Sequence, residues 1–180
     1  TAAGTGYAEI RRMMVDRLAT LGTTQAAWAA DLLDDATEGL ATASRIVSKA
    51  RMREVLGSEY MQGLTLREWV GASEAALVRG ATAALRNGVG QGLEAEALRR
   101  SLAPVYRTAR NNLDAIARTA VTFTTNRAHM ATYEANDDVL VGVEFLATLD
   151  SRTTPICARW DGTTWPVGSP SIQYPPLHVN

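Results

Sequence analysis

Lysine is nearly missing from this chain, which carries seventeen arginines and a single lysine, Lys49. Together with thirty alanines, that bias points to a GC-rich coding sequence rather than to an adaptation. Cysteine is reduced to Cys157, which excludes an intramolecular disulfide and fits a reducing compartment. Only two histidines, His129 and His178, are present, and no Ser-His-Asp spacing accompanies them, so catalysis has little to stand on. Aromatic residues make up 6% of the chain, which implies slim helices in close contact rather than a thick aromatic core. The net charge of −1 gives no whole-molecule attraction to nucleic acid or to a membrane surface. No run approaches the ~20 apolar residues of a membrane span, and no charged, apolar and small-residue leader opens the sequence.

What is present is helical periodicity. Tyr7, Ile10, Met14, Leu18 and Leu21 recur at helical spacing, and Gly22 is expected to close that helix. A second helix is expected from an N-cap at Thr23 or Thr24 to about Leu56-Gly57. Its stripe holds Trp28, Leu32, Ala36, Leu40, Ala43, Val47 and Ala50. Thr65 followed by Glu68 is a capping box, and it predicts a third helix with Leu66, Trp69, Val70, Ser73, Leu77, Ala81 and Leu85 inward, stopped by Asn87-Gly88. Gly88 to Gly92 reads as a flexible joint, not a phosphate loop, since no Lys-Ser/Thr follows and no strand precedes it. Leu93 to Leu102 reads as a short helix ended by Pro104. A longer one is expected from about Tyr106 to Asn136, with Leu113, Ile116, Ala120, Phe123, Arg127 and Met130 three or four apart.

Past Asn136-Asp137-Asp138 the period becomes strand-like, in Val139–Val141 and from Val143 to Leu149. Asp161-Gly162 reads as a tight hairpin turn between Ala158-Arg159-Trp160 and Thr163-Thr164-Trp165, with Trp160 and Trp165 packed as the core of that piece. The fold class is therefore mainly α with a small C-terminal β-containing cap (α+β) on an elongated helical body. Charge is uneven. Arg99, Arg100, Arg107, Arg110, Arg118 and Arg127 face one acid, Asp114, whereas from Asn136 onward five acids stand against two arginines. Arg99, Arg100, Arg107 and Arg110 are candidates for non-specific contact with DNA phosphates. Specific base readout is not expected, because no recognised motif or interleaved aromatics accompany them.

Several separated elements recur in a known order: Arg118-Thr119, then Asn126-Arg127 and Tyr133, the strand, the run Thr148-Leu149-Asp150-Ser151-Arg152-Thr153, Cys157, Asp161-Gly162, and Pro175-Pro176-Leu177-His178. Over roughly residues 110 to 180 the chain resembles the phage Mu F-like minor head proteins. Ala120 stands where relatives carry a Glu, and Thr154 where they carry a first cysteine. The terminal cysteines would begin where this sequence stops. By that resemblance the chain divides into a helical N-terminal region, 1–105, and a Mu F-like C-terminal domain, 106–180. Thr119, Asn126 and Tyr133, at sevenfold spacing on one helix stripe, are expected to face the β cap. Cys157 and His178 are the weak candidates for a metal. A zinc site wants four Cys or His ligands, so no cofactor is expected unless further cysteines follow.

The resemblance implies a minor capsid or head-morphogenesis protein with no enzymatic activity. Its place would be the virion head at the portal vertex, and the host cytoplasm during assembly. Its partners would be the portal or major capsid protein and, non-specifically, packaged double-stranded DNA, with no membrane and no small-molecule substrate. The alternatives are an ADP-ribosyl-transfer or nuclease module, which would need a cleft lined by Arg, Glu and Ser/Thr, or a metal-stapled DNA-binding module.

Overall fold

The computed structural model describes residues 2–37 and 47–177. In chain order these form α1 (Ala2–Ala36), α2 (Lys49–Ser58), α3 (Leu66–Gly90), α4 (Ala95–Ala135), β1 (Val143–Glu144), α5 (Pro155–Trp160) and β2 (Thr164–Trp165). The protein is mainly α with a small β part near its C-terminus. Its spine is α4, whose 41 residues span roughly 60 Å at 1.5 Å per residue. No described helix is long and apolar enough to cross a membrane.

One hydrophobic core draws on all four long helices. Leu18, Ala19 and Ala26 come from α1, Met52, Val55 and Leu56 from α2, Leu66 and Val70 from α3, and Ile116, Ala120, Phe123 and Ala128 from α4. Alanines fully removed from solvent at positions 19, 26 and 128 let helix backbones approach closely. The division at 105/106 lies inside α4, so this core takes side chains from both sides of it.

Several sequence expectations about helix ends are corrected. The chain does not stop at Gly22 and restart at Thr23 or Thr24; α1 runs through all three. A side chain on Gly22 would lie 2.7 Å from Met52 Cε and 2.9 Å from its Cγ, so this glycine is the place where α2 seats against α1. The hydroxyl of Thr23 donates to the carbonyl of Thr20 at 2.7 Å and that of Thr24 to the same carbonyl at 3.2 Å, so neither residue caps anything. The helix expected from residue 23 to 57 is two helices. The second starts at Lys49, where Ser48 Oγ accepts from the Arg51 amide at 3.2 Å. Leu40 and Ala43 lie outside the described residues. With α1 continuous, its inward face is Ala19, Ala26, Ala29, Ala30 and Leu33, and Trp28 and Leu32 fall off it, both about half exposed.

The capping box at Thr65 and Glu68 forms as expected, with the Thr65 amide 2.7 Å from Glu68 Oε2. Asn87-Gly88 does not end α3. Gly88 is buried, and a side chain there would clash with Leu98 Cδ2 on α4. The stop comes at Gly92, whose φ is 68°. There the Leu93 amide reaches back to the Gly88 carbonyl at 2.9 Å and the Gly92 amide to Val89 at 3.0 Å, a Schellman closure that needs a left-handed residue. Leu85 was expected inward but is exposed. Pro104 does not end a short helix either; α4 passes through it. The proline removes one i→i−4 bond, but it lies on an exposed face.

In the cap, Val139–Val141 is a turn followed by irregular backbone, with Val141 fully exposed. Asn136 Nδ2 donates to the Thr132 carbonyl at 2.7 Å and the Val139 amide to Asn136 at 3.2 Å, which turns the chain away before it can pair. The segment from Val143 is extended only to Glu144. β1 pairs antiparallel with β2, Val143 opposite Trp165 and Glu144 opposite Thr164. The expected hairpin across Asp161-Gly162 is therefore wrong in its first arm. Ala158-Arg159-Trp160 belongs to α5, with Pro155 in its first turn, where a proline costs no hydrogen bond.

Candidate functional site: the groove between α4 and the cap

The C-terminal half of α4 and the chain after it enclose a groove with two connected parts. The larger, about 510 Å³, is lined by Thr119 and Thr122 of α4, Phe145 to Thr148, Asp150, Arg152, Thr153, Thr154, Cys157 and Pro175 to Leu177. The smaller, about 230 Å³, is lined among others by Asn126, His129, Tyr133, Trp165, Tyr174 and Pro175. The residues carrying the sequence motif are thus assembled from four separate stretches onto one seam.

Thr119, Asn126 and Tyr133 all face it. Thr119 is buried and its hydroxyl donates to the Ala115 carbonyl at 2.9 Å, while Asn126 Nδ2 donates to Thr122 at 2.9 Å. Both polar groups are thereby accommodated on the helix's own backbone. Burial raises the Tyr133 phenol above its ordinary value and lowers the His129 imidazole below its own. The two rings lie 6.3 Å apart, Trp28 lies 5.3 Å from His129 on the other side, and His129 Nε2 is 3.1 Å from Gln25 Oε1. Arg118 is exposed, one residue off the stripe.

Asp150 builds a turn. Its Oδ1 accepts from the Arg152 amide at 2.8 Å, its Oδ2 lies 3.1 Å from the Arg152 guanidinium, its amide donates to Thr153 Oγ1 at 2.9 Å, and its carbonyl accepts from the Thr153 amide at 3.0 Å. The Arg152 amide, then its guanidinium, hold the Asp150 carboxyl below the usual carboxylate range. This turn supports Leu149, a non-glycine residue at φ 52°, a conformation that stores about 1 kcal/mol or more. Asp161 does the same work for the next stretch, its Oδ1 accepting from the Ala147 amide at 2.7 Å. Gly162, at φ 74°, donates its amide to the Phe145 carbonyl, and the Phe145 amide returns to Thr163, both at 2.9 Å. Trp160 and Trp165 meet at 5.8 Å with a 44° tilt. The cap is thus a set of turns closed by carboxylate–amide bonds, with one tryptophan pair and the buried Phe145 and Ile172.

Cys157 sits half-buried on α5 in the larger part of the groove. Among the described residues no three His, Cys, Asp or Glu side chains come close enough to share a metal ion; His178 lies outside the described residues. Arg99, Arg100, Arg107 and Arg110 are all exposed on the first half of α4, away from the groove. Arg99 is forked onto Glu96 at 2.7 and 2.9 Å, and Arg110 lies 3.9 Å from Asp114.

The roles of two residues on the seam were not foreseen from the sequence. Arg127, on the same helix, places Nε 2.6 Å from Glu59 Oε2 at the end of α2, with its guanidinium 4.4 Å from the Tyr174 ring and 5.5 Å from Phe123. Gln62 Nε2 adds a bond to the Pro176 carbonyl. These contacts strap the C-terminal segment to the helical body. The signal was an arginine in an otherwise apolar stripe, which demands a partner. The other is Gly142, where a side chain would lie 2.6 Å from the Trp165 carbonyl oxygen; a glycine beside a strand marks such an approach.

The fold and seam define a class: a long-helix protein whose turn-built C-terminal cap is strapped along the helix that precedes it. The model of the family described as phage Mu protein F like protein matches residues 80–180, from within α3 to the end of the chain. That is more than half of the sequence, and the chain belongs to this family, which suggests a phage head-morphogenesis protein. No curated protein and no solved structure matches the chain.

Proposed function

We propose that this protein is a minor capsid or head-morphogenesis protein that acts at or near the portal during head assembly, DNA packaging or ejection, and that it is not an enzyme. Membership of the phage Mu F-like family supports the phage head as its setting. The observation that carries the structural reading is the use made of the motif residues. Asp150 and Asp161 are spent on backbone amides and Trp160 and Trp165 on each other. An acid–base pair needs carboxyls whose protonation is pushed apart inside a cleft; Asp150 is instead held ionised as a turn former.

In this reading residues 106–180 are the docking unit and 1–105 the helical support. The partners are portal or major capsid protein, with neither cofactor nor small-molecule substrate. Packaged double-stranded DNA is touched non-specifically along Arg99, Arg100, Arg107 and Arg110, four exposed guanidiniums within about three turns of α4. The assay is co-sedimentation of the purified protein with portal rings and with procapsids. Association with either supports the proposal, and a monomer indifferent to both overturns it.

A further inference from the structure

A concavity of about 780 Å³, lined by none of the motif residues, lies where the first half of α1 meets α2 and the first turn of α3. Five arginines line it, Arg11, Arg12, Arg17, Arg53 and Arg67, against one carboxylate, Asp16. The first ninety residues carry no net charge, so the excess is local. Asp31, Asp34 and Asp35 lie at the other end of α1, 14 residues or more beyond Arg17, roughly 20 Å at 1.5 Å per residue.

Asp16 is already engaged. Its Oδ1 lies 3.1 Å from Lys49 Nζ and also meets Arg53, and these two cations, Arg53 first, hold its carboxyl below the ordinary value. Arg12 reaches Glu9 at 3.9 Å. Arg11, Arg17 and Arg67 form no ion pair among the described residues. Three guanidiniums from two helices thus line one open groove with no ion pair among the described residues, the Glu68 carboxylate beside Arg67 being held by Thr65 in the capping box. Guanidinium forks match phosphate oxygens two at a time, and a single phosphate group would leave this groove positive. Three cations exceed the charge of about −2 on one phosphate group, so the groove suits an anion with several adjacent phosphates.

We propose that this groove binds an anion bearing adjacent phosphate groups, either a free polyphosphate or the phosphodiester backbone of a nucleic acid. The site is independent of the reading of the protein as a portal-proximal head protein, and of the arginines of α4.

The test uses the full chain and three probes: sodium tripolyphosphate, a fluorescein-labelled DNA duplex, and poly-glutamate. The variant replaces Arg11, Arg17 and Arg67 together by Gln. A second, with Lys at the same positions, keeps the charge and removes the forks. The side chains reach solvent, so both variants should retain the parent's far-ultraviolet spectrum; were the Gln variant to misfold, the Lys variant against the parent still reads the forks. The Gln variant is expected to bind at least about tenfold more weakly at low salt. For duplex, the slope of log affinity against log salt should fall by about 2 to 3, close to 0.9 per lost phosphate contact. The Lys variant should fall between parent and Gln variant. Loss for tripolyphosphate alone assigns the groove to free polyphosphate, and loss for duplex alone assigns it to the nucleic-acid backbone. Unchanged binding of both overturns the proposal. Poly-glutamate competing charge for charge as well as tripolyphosphate also overturns it, in favour of an acidic polypeptide. Replacing Arg99, Arg100 and Arg107 by Gln tests the α4 contact separately and should leave tripolyphosphate binding untouched.

Discussion

In the helical body the contacts that hold the chain are between carbon atoms. Met52 lies on Gly22, alanines line the faces between helices, and Val70 and Phe123 fill what remains. In the cap most of the order is made by polar groups closing short turns: Asp150 on its own loop, Asp161 on the Ala147 amide, Gly162 and Thr163 on the backbone of Phe145. Glycine shows the contrast best. A side chain at position 22 would meet a flexible thioether, whereas one at position 142 would meet a carbonyl oxygen of the paired strand. The body can therefore yield by repacking and the cap cannot. A helical core also gains stability with every buried methylene, while a turn-built cap gains a modest net amount per hydrogen bond and leans on the helix beneath it.

The sharpest way to break the body is Met52→Ala. The side chain is fully buried, and its loss should cost about 2–5 kcal/mol and lower the single melting transition seen by far-ultraviolet circular dichroism. Gly22→Ala alone should destabilise by about 1–3 kcal/mol through overpacking. In the Met52→Ala background the added methyl has room, so the double variant should be less destabilised than the sum of the two. Strict additivity would mean that Gly22 and Met52 do not share a contact.

Trp160→Ala asks whether the cap is a separate layer. Its indole is half-buried against Trp165, so the loss should be about 1–3 kcal/mol and local. Hydrogen exchange should speed up in residues 143–177 while helix content stays nearly constant. A global loss of helix would mean that cap and body share one core. Gly142→Ala should give the same local pattern through the Trp165 carbonyl.

Arg127→Ala cuts the strap rather than either part. The ion pair with Glu59 is about one-quarter to one-third exposed; removing one partner strands the other and lifts Tyr174 off its cation, at about 1–2 kcal/mol after solvent screening. Limited proteolysis should cut sooner around residues 172–177. Unchanged protection would place the anchor in Phe145 and Ile172 alone.

How far this could be read beforehand differs between the two regions for the same physical reasons. The capping box, the apolar stripe of α4 and the mainly helical class were legible because local periodicity encodes them. The ends of α1 and α3 were not, since Gly22 and Gly88 look like stops and act as contact points, a tertiary fact. Pro104 was read by its propensity, which an exposed turn of a long packed helix overrides. In the cap Asp150, Cys157, Asp161 and Gly162 were named from the family resemblance and Trp160 and Trp165 from their pattern, but the hairpin was misplaced, because a two-residue strand leaves too little pattern to fix its partner. The basic groove was invisible for another reason: its arginines are scattered over α1, α2 and α3 and cancelled in the running charge by acids that lie elsewhere in space.

The smallest expected effect lies where the two regions touch. His129 stands on α4 between Trp28 of the body and Tyr133 at the groove, its Nε2 against Gln25, and burial depresses its pKa below the ordinary 6.5. The folded state therefore prefers the neutral ring, and the unfolded chain binds the proton more readily. Stability from this site is complete above about pH 6.5 and declines as pH falls from there through the folded pKa, below which it is gone. The melting temperature should drop modestly between neutral pH and the range just above carboxylate titration. His129→Gln, which keeps a hydrogen-bonding group facing Gln25, should flatten that slope while costing little at neutral pH. An equal slope in the variant would move the pH sensitivity to the carboxylates, among which Asp16, held low by Arg53 and Lys49, and Asp150, held low by the Arg152 amide and then its guanidinium, lose their partners only at more acid pH.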